Sequence, residues 1–125
     1  MIVLDASALL AFLLDEPGAD AVAARMDEAR MSTVNLAEVL SKSEERGGDA
    51  KALLLQIART PIEMVPLSVG VALGAARLRA STKPIGLSLG DRICLALAQE
   101  LGCEAWTADK RWLSAKLGVG IQLIR

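Results

Sequence analysis

The sequence predicts an α/β domain, a parallel sheet flanked by helices on both faces. Three observations carry this. Short apolar runs of strand length alternate with segments of helical period along the whole chain. The first run, Ile2 to Leu4, is apolar without a break, as a strand buried on both faces must be. Each consecutive pair of runs is separated by enough chain for a helical crossover, which parallel pairing requires.

The elements follow in order. Ile2 to Leu4 reads as a short buried strand, and Ala6 to Leu14 as a helix that stops before Pro17. Pro17 to Arg30 reads as a second helix, with Pro in its first turn and Ala21, Val22 and Met26 at helical spacing. Met31 to Thr33 is the next strand, followed by a helix from Val34 to Arg46 that ends at Gly47-Gly48. Asp49 caps a helix running to Arg59. Ile62 to Val65, between two prolines, is a third strand; Ser68 to Ser81 is helical, and Lys83-Pro84 breaks it. Ser88 to Leu101 is a strongly apolar helix closed by Gly102. Glu104 to Thr107 is a strand, Lys110 to Leu117 a short helix, and Gly120 to Ile124 the last strand. No repeat or linker divides the chain, so residues 1–125 are expected to form one domain.

Composition excludes several functions. The apolar opening is no export signal, because no Lys or Arg precedes Arg25 and Asp5 interrupts it. Its longest unbroken run, Ala8 to Leu14, is far short of the roughly 18 residues of a membrane span. A cytoplasmic location without membrane attachment is expected. Cys94 and Cys103 match no metal-ligand spacing and read as reduced and structural. A net charge of -1 gives no global attraction for nucleic acid, so a polyanion must be held by local cations. The chain has no histidine and no tyrosine, which removes imidazole acid/base chemistry and histidine metal sites together. Any catalysis rests on carboxylates, hydroxyls, Lys/Arg or a bound cofactor.

Four acids stand where such chemistry gathers, beyond the carboxyl ends of parallel strands. Asp5 ends the first strand, with Ser7 two residues on; Asp109 lies just past a later strand, two residues after Thr107. Glu38 follows the second strand with Asn35 one turn before it, and Asp91 opens the apolar helix. Taken singly, Asp91 complements a helix dipole, Asp109 and Asp5 serve as helix caps, and Glu38 is a solvated charge. Asp5 fits the ordinary reading least, since acids are depleted from strands and costly to bury unpaired. Together the four point into one crevice, and that much negative charge calls for divalent cations.

These stretches resemble the PIN domain, and within it the VapC-type toxins of bacterial and archaeal toxin-antitoxin pairs. The likeness spans essentially the whole chain: "VLDASALLAFLLDEPG", "NLAEVL", "LSLGDRICLALAQELG" and "TADKRW", in that order. It implies a three-layer α/β/α sandwich with a central, mostly parallel sheet of about five strands. It further implies a metal-dependent endoribonuclease that is held inactive by a cognate antitoxin and forms a homodimer. The family's acidic quartet falls on Asp5, Glu38, Asp91 and Asp109, with polar helpers at Ser7, Asn35 and Thr107.

On this reading Asp5 and Asp91 are the principal ligands of Mg²⁺ or Mn²⁺, and Asp109 is a further one, directly or through water. Glu38 orients or activates the attacking water, or completes a second metal site, while Ser7, Asn35 and Thr107 orient the carboxylates. Arg92, Lys110 and Arg111 are candidates for RNA phosphate contacts, although charges so placed are more often simply solvated. Trp106 and Trp112 suit packing better than base stacking. Val22, Met26, Leu36, Leu40, Leu53, Leu54 and Leu55 outline an apolar groove for the antitoxin, which would send a basic side chain to the acids. Two other functions fit an α/β domain with such acids: a non-catalytic RNA- or protein-binding module, and a Mg²⁺-dependent phosphotransfer or receiver-like domain. The latter expects an acidic pair after a strand, where "LDAS" offers one acid.

Overall fold

A computed structural model describes residues 1–114 and 116–125. The chain begins with strand β1 (Ile2–Leu4), helix α1 (Ala6–Leu13), helix α2 (Ala19–Ala24) and a 3-10 turn at Met26–Glu28. Strand β2 (Ala29–Ser32), helices α3 (Thr33–Glu45) and α4 (Ala50–Ile57), and strand β3 (Glu63–Val65) follow. Then come α5 (Val69–Arg77), α6 (Arg79–Thr82), a 3-10 turn at Lys83–Ile85, and α7 (Leu89–Leu101). Strand β4 (Glu104–Thr107), a 3-10 helix at Lys110–Ser114 and strand β5 (Ile121–Leu123) complete the fold.

The five strands form one sheet in the order β3-β2-β1-β4-β5, parallel throughout rather than mostly so. Strand pleating sorts the core into two layers. Ile2 and Leu4 pack with Leu9 of α1, Val22 of α2, Val39 of α3 and Ile57 of α4. Val3 points the other way, to Val71 and Ala75 of α5 and Ile93, Leu95 and Leu97 of α7. Helices thus cover both faces. Both tryptophans are buried, Trp106 on the first face and Trp112 on the second. Among the described residues no helix is long and apolar enough to cross a membrane, and both cysteines are free.

Several boundaries differ from the sequence expectation, each for a physical reason. The expected helix from Pro17 to Arg30 stops at Ala24, and β2 begins two residues before Met31. Pairing of Ile2 with Ala29 and Val3 with Arg30 draws those residues into the sheet. The 3-10 turn still buries Met26 beside Val22, so the apolar spacing continues across the break and conceals it. The expected helix from Ser68 to Ser81 is two segments joined at Leu78. Pro84 continues the chain in a 3-10 turn, near whose start a missing N–H costs nothing. Of the short helix expected from Lys110 to Leu117, a 3-10 helix to Ser114 is present, anchored by buried Trp112; Ala115 lies outside the described residues. The last strand is Ile121–Leu123, shorter than Gly120 to Ile124.

β1 is the switch point of the sheet: β2 and β3 lie on one side of it, β4 and β5 on the other. Crevices of parallel sheets open beyond the carboxyl ends of the strands at such a point. The residue that follows β1 there is Asp5.

Candidate active site

Asp5 is only 4% exposed and is held by a two-tier hydrogen-bond network. Its Oδ1 accepts from the Ala8 amide at 2.8 Å, making Asp5 the N-cap of α1. The Ser7 hydroxyl donates to the same carboxylate at 2.7 Å, and Thr107 Oγ1 donates to Oδ2 at 2.6 Å. Behind them, Ser7 Oγ accepts from the Ala108 amide at 2.9 Å and Thr107 Oγ1 from the Asp109 amide at 3.0 Å. With amides on their lone pairs, both hydroxyls turn their protons to Asp5. Three donors face a carboxylate with about four acceptor sites, which leaves an opening for one more positive group.

That opening matters because Asp5 is electrostatically unsettled. Burial, with a smaller push from Asp91, holds its carboxyl at about 6 rather than 3.8, against the pull of the Thr107, Ser7 and Ala8 hydrogen bonds. Glu38, half-buried on α3, is also raised, first by burial and then by Asp91. The Asn35 hydrogen bond and Lys42 pull it back in part. The fully buried Cys94 thiol is pushed well above its usual range by burial and by Asp5, Asp91 and Glu38 together. Three carboxylates therefore act on a common region between β1, α3 and α7.

The helices hold the other two acids deliberately. Asn35, 1% exposed, donates through Nδ2 to Glu38 Oε1 at 2.9 Å and to the Gly90 carbonyl at 3.0 Å, tying α3 to α7. Its Oδ1 is buried without a hydrogen-bond partner among the described residues. Asp91 closes a capping box: its Oδ2 accepts from the Ser88 amide at 2.9 Å, and its own amide donates to Ser88 Oγ at 3.1 Å. Gly90 fits between them, because a Cβ at that position would collide with the Glu38 carboxylate. Sequence reasoning missed Gly90 and Ser88. The signals were there: glycine is a poor helix former and stands where another backbone or side chain approaches closely, and serine three residues before an acid is a cap.

Asp109 is placed differently. The Arg111 guanidinium grips both its oxygens, with Nε at 3.0 Å and Nη2 at 2.6 Å, and holds the carboxyl below its usual range. Arg111 also donates to the carbonyls of Ile85 and Gly86. Arg92 is half-buried and donates to the Ala75 carbonyl at 2.9 Å. Of the three cations singled out for phosphate contacts, only Lys110 is exposed without a hydrogen bond or ion pair among the described residues.

As the side chains stand, no group of three or more acidic or cysteine residues among those described is gathered to hold one ion. The donor set nevertheless suits a hard divalent cation. It offers carboxylate oxygens with hydroxyl support, and the buried Cys94 sulfur is held protonated. Mutual repulsion among Asp5, Glu38 and Asp91 is what such a cation would relieve.

The whole-chain comparisons agree with this architecture. A family model described as PIN domain matches residues 2–116. No curated protein matches the chain. Among solved structures, the chain is similar to a toxin-antitoxin complex from Klebsiella pneumoniae, at 19% identity and TM-score 0.77, covering 100% of this chain and 98% of that one. It is similar to DNA-bound VapBC from Salmonella typhimurium, at 15% identity and TM-score 0.75, covering 99% and 98%. VapBC-5 from Mycobacterium tuberculosis aligns at 23% identity and TM-score 0.62, covering 98% and 96%. At these identities the structural likeness is one of fold. The family model, however, covers nearly the whole chain from Ile2 onward, including all four acids, and on that match the chain belongs to the PIN domain family.

Proposed function

We propose that this chain is a Mg²⁺- or Mn²⁺-dependent endoribonuclease, the toxin of a toxin-antitoxin pair. The observation that carries the reading is the shared influence of Asp91 on Asp5, at the sheet's switch point, and on Glu38 of α3, two carboxyls already raised by burial. Asp5 and Asp91 would hold the cation, and Asp109 would join them once Arg111 releases it. When bound, the cation supplies Lewis acidity toward a phosphodiester and toward an attacking water. Glu38 is the group suited to take the water's proton. Its raised carboxyl lies nearer neutral pH than an ordinary glutamate, and Asn35 fixes Oε1 while Oε2 has no hydrogen-bond partner among the described residues. Ser7 and Thr107 keep Asp5 oriented. Cleavage of RNA by the purified chain tests the reading: it should stop with EDTA and resume with Mg²⁺, and cleavage that persists in EDTA would sink it.

The partner belongs to the same reading. Val22 and Met26, expected in the antitoxin groove, are core residues, and Leu36, Leu40 and Leu53 pack against that core. The groove that does exist has a volume of about 270 Å³ and lies between α1, α3 and α4, lined by Leu10, Leu13, Leu14 and Leu53 among others. Exposed Leu54 and Leu55 on α4 extend the apolar surface. An amphipathic antitoxin helix fits such a surface. An arginine from it would pair with the acids and compete with the cation, and the Arg111–Asp109 fork is an intramolecular instance of that pairing. Exposed Leu67, Val69 and Leu73 offer a second apolar face, which we assign to a homodimer in the cytoplasm. Sedimentation of Leu73→Glu as a monomer is the expected result, and an unchanged dimer would place the contact elsewhere.

A further inference from the structure

The cations singled out beside the acids in sequence are largely spent within the chain. Arg111 is locked onto Asp109 and two carbonyls, and Arg92 onto Ala75. Beside the acids only Lys110 stays free, so a polyanion approaching the crevice needs further cations, and the end of α3 presents two. Lys42 in the last turn of α3 and Arg46, its C-cap, lie one helical turn apart, and both are exposed. Neither makes a side-chain hydrogen bond or ion pair among the described residues.

Their position relative to the crevice is specific. Lys42 is one turn beyond Glu38 and close enough to lower its carboxyl. Lys42 and Arg46 both line a hollow of about 220 Å³ that begins at Ser7, whose hydroxyl touches Asp5, and extends to Arg125. Lys42 also borders an adjoining hollow alongside Glu38 and Glu45. The acids on this path do not cancel the pair. Glu16, which lines the first hollow, is matched by Arg125 at 3.6 Å, and Glu44, which accepts from the Ala50 amide at 2.7 Å, lines neither hollow. Glu38 and Glu45 oppose Lys42 in the adjoining hollow, which Arg46 does not line.

We propose that Lys42 and Arg46 each bind a backbone phosphate of the substrate strand, so that single-stranded RNA reaches the acids over α3 and α1 rather than past β4. This rests on the ribonuclease reading and adds a direction to it. Each single-strand phosphate contact contributes about 0.7 to the slope of log affinity against log salt. Removing two lowers the slope by about 1.4, and extrapolation from 1 M gives a loss of about 25-fold at 0.1 M salt.

The test is fluorescence anisotropy with a labelled single-stranded RNA of about 12 nucleotides, with Ca²⁺ replacing Mg²⁺. The proteins compared are wild type, Lys42→Gln/Arg46→Gln, and the control Arg77→Gln/Arg79→Gln on the opposite face. A weaker affinity and shallower salt slope in the first variant, with the control unchanged, is the expected result. Equal losses in both variants, or none in the α3 variant, overturn the α3 path while leaving the nuclease reading standing. Absence of RNA binding by wild type overturns both.

Discussion

Replacing Asp5 by Asn should stabilise the cation-free protein at neutral pH, although Asp5 caps α1 and accepts hydrogen bonds from Ser7 and Thr107. The folded carboxyl titrates near 6 against 3.8 for an unperturbed one. Because the folded value is the higher, the folded chain holds the proton more tightly. The stability this confers is complete below about pH 4 and is lost as pH rises through 6. At about 1.4 kcal/mol per pH unit, the loss is about 3 kcal/mol. Asparagine carries no charge to bury, and its oxygen caps a helix as well as aspartate does. Its amide must face the Thr107 and Ser7 hydroxyls, which can turn to accept at a cost of about 1 kcal/mol for one weakened hydrogen bond. A net gain of about 2 kcal/mol is expected at pH 7.5, shrinking toward zero or below at pH 4.5. Urea unfolding in EDTA at the two pH values measures it. With Mg²⁺ at a hundred times its dissociation constant, wild type should gain about 2.7 kcal/mol and the variant little. An Asp5→Asn protein less stable than wild type at pH 7.5 in EDTA would refute the reasoning and make Asp5 a structural cap.

Three other outcomes are expected. Gly90→Ala should remain folded but displace Glu38, lowering cleavage by about 100-fold or more, the scale of a lost general base. Rates in a Glu38→Gln background should then be insensitive to it, and full activity in Gly90→Ala would contradict the contact. Lacking histidine, the site should favour attack by water over the RNA 2′-hydroxyl, leaving 5′-phosphate and 3′-hydroxyl ends; cyclic phosphates detected by end-labelling would argue otherwise. Leu14→Glu, at a half-exposed position on the apolar groove, should weaken antitoxin binding by about 2 kcal/mol or more, and unchanged affinity in calorimetry would move the docking site.

The elements legible in the sequence are those whose ends carry their own chemistry. Asp49 caps α4, and α7 is capped by Ser88 at its start and by a left-handed Gly102 at its end. The break before β2 was hidden because Val22 and Met26 keep helical spacing through it, and only pairing with β1, a non-local event, decides it. The same division holds at the site. Asp5 was conspicuous as an acid at the end of an apolar strand, and its partners Ser7 and Thr107 flank it in space as their motifs suggested. The Arg111 fork on Asp109 depends on a 3-10 turn after β4, and the Gly90–Glu38 contact on how α3 meets α7, so neither has a local signature. Val22 and Met26 were expected on an open groove, and are buried, for a related reason. Apolar content marks Met26 and Leu14 alike, and only tertiary packing buries the first, in the 3-10 turn before β2, and leaves the second exposed.

Asp91 is the carboxylate whose charge reaches both Asp5 and Glu38, so it offers the most direct test of a cation-dependent nuclease. The measurement is the RNA cleavage rate against Mn²⁺ concentration for wild type and Asp91→Asn, after both have been stripped with chelator. The expected result is no cleavage in stripped wild type, saturable recovery with Mn²⁺, and no recovery in Asp91→Asn although it remains folded. Cleavage by stripped wild type, or equal Mn²⁺ curves for the two proteins, would contradict the account.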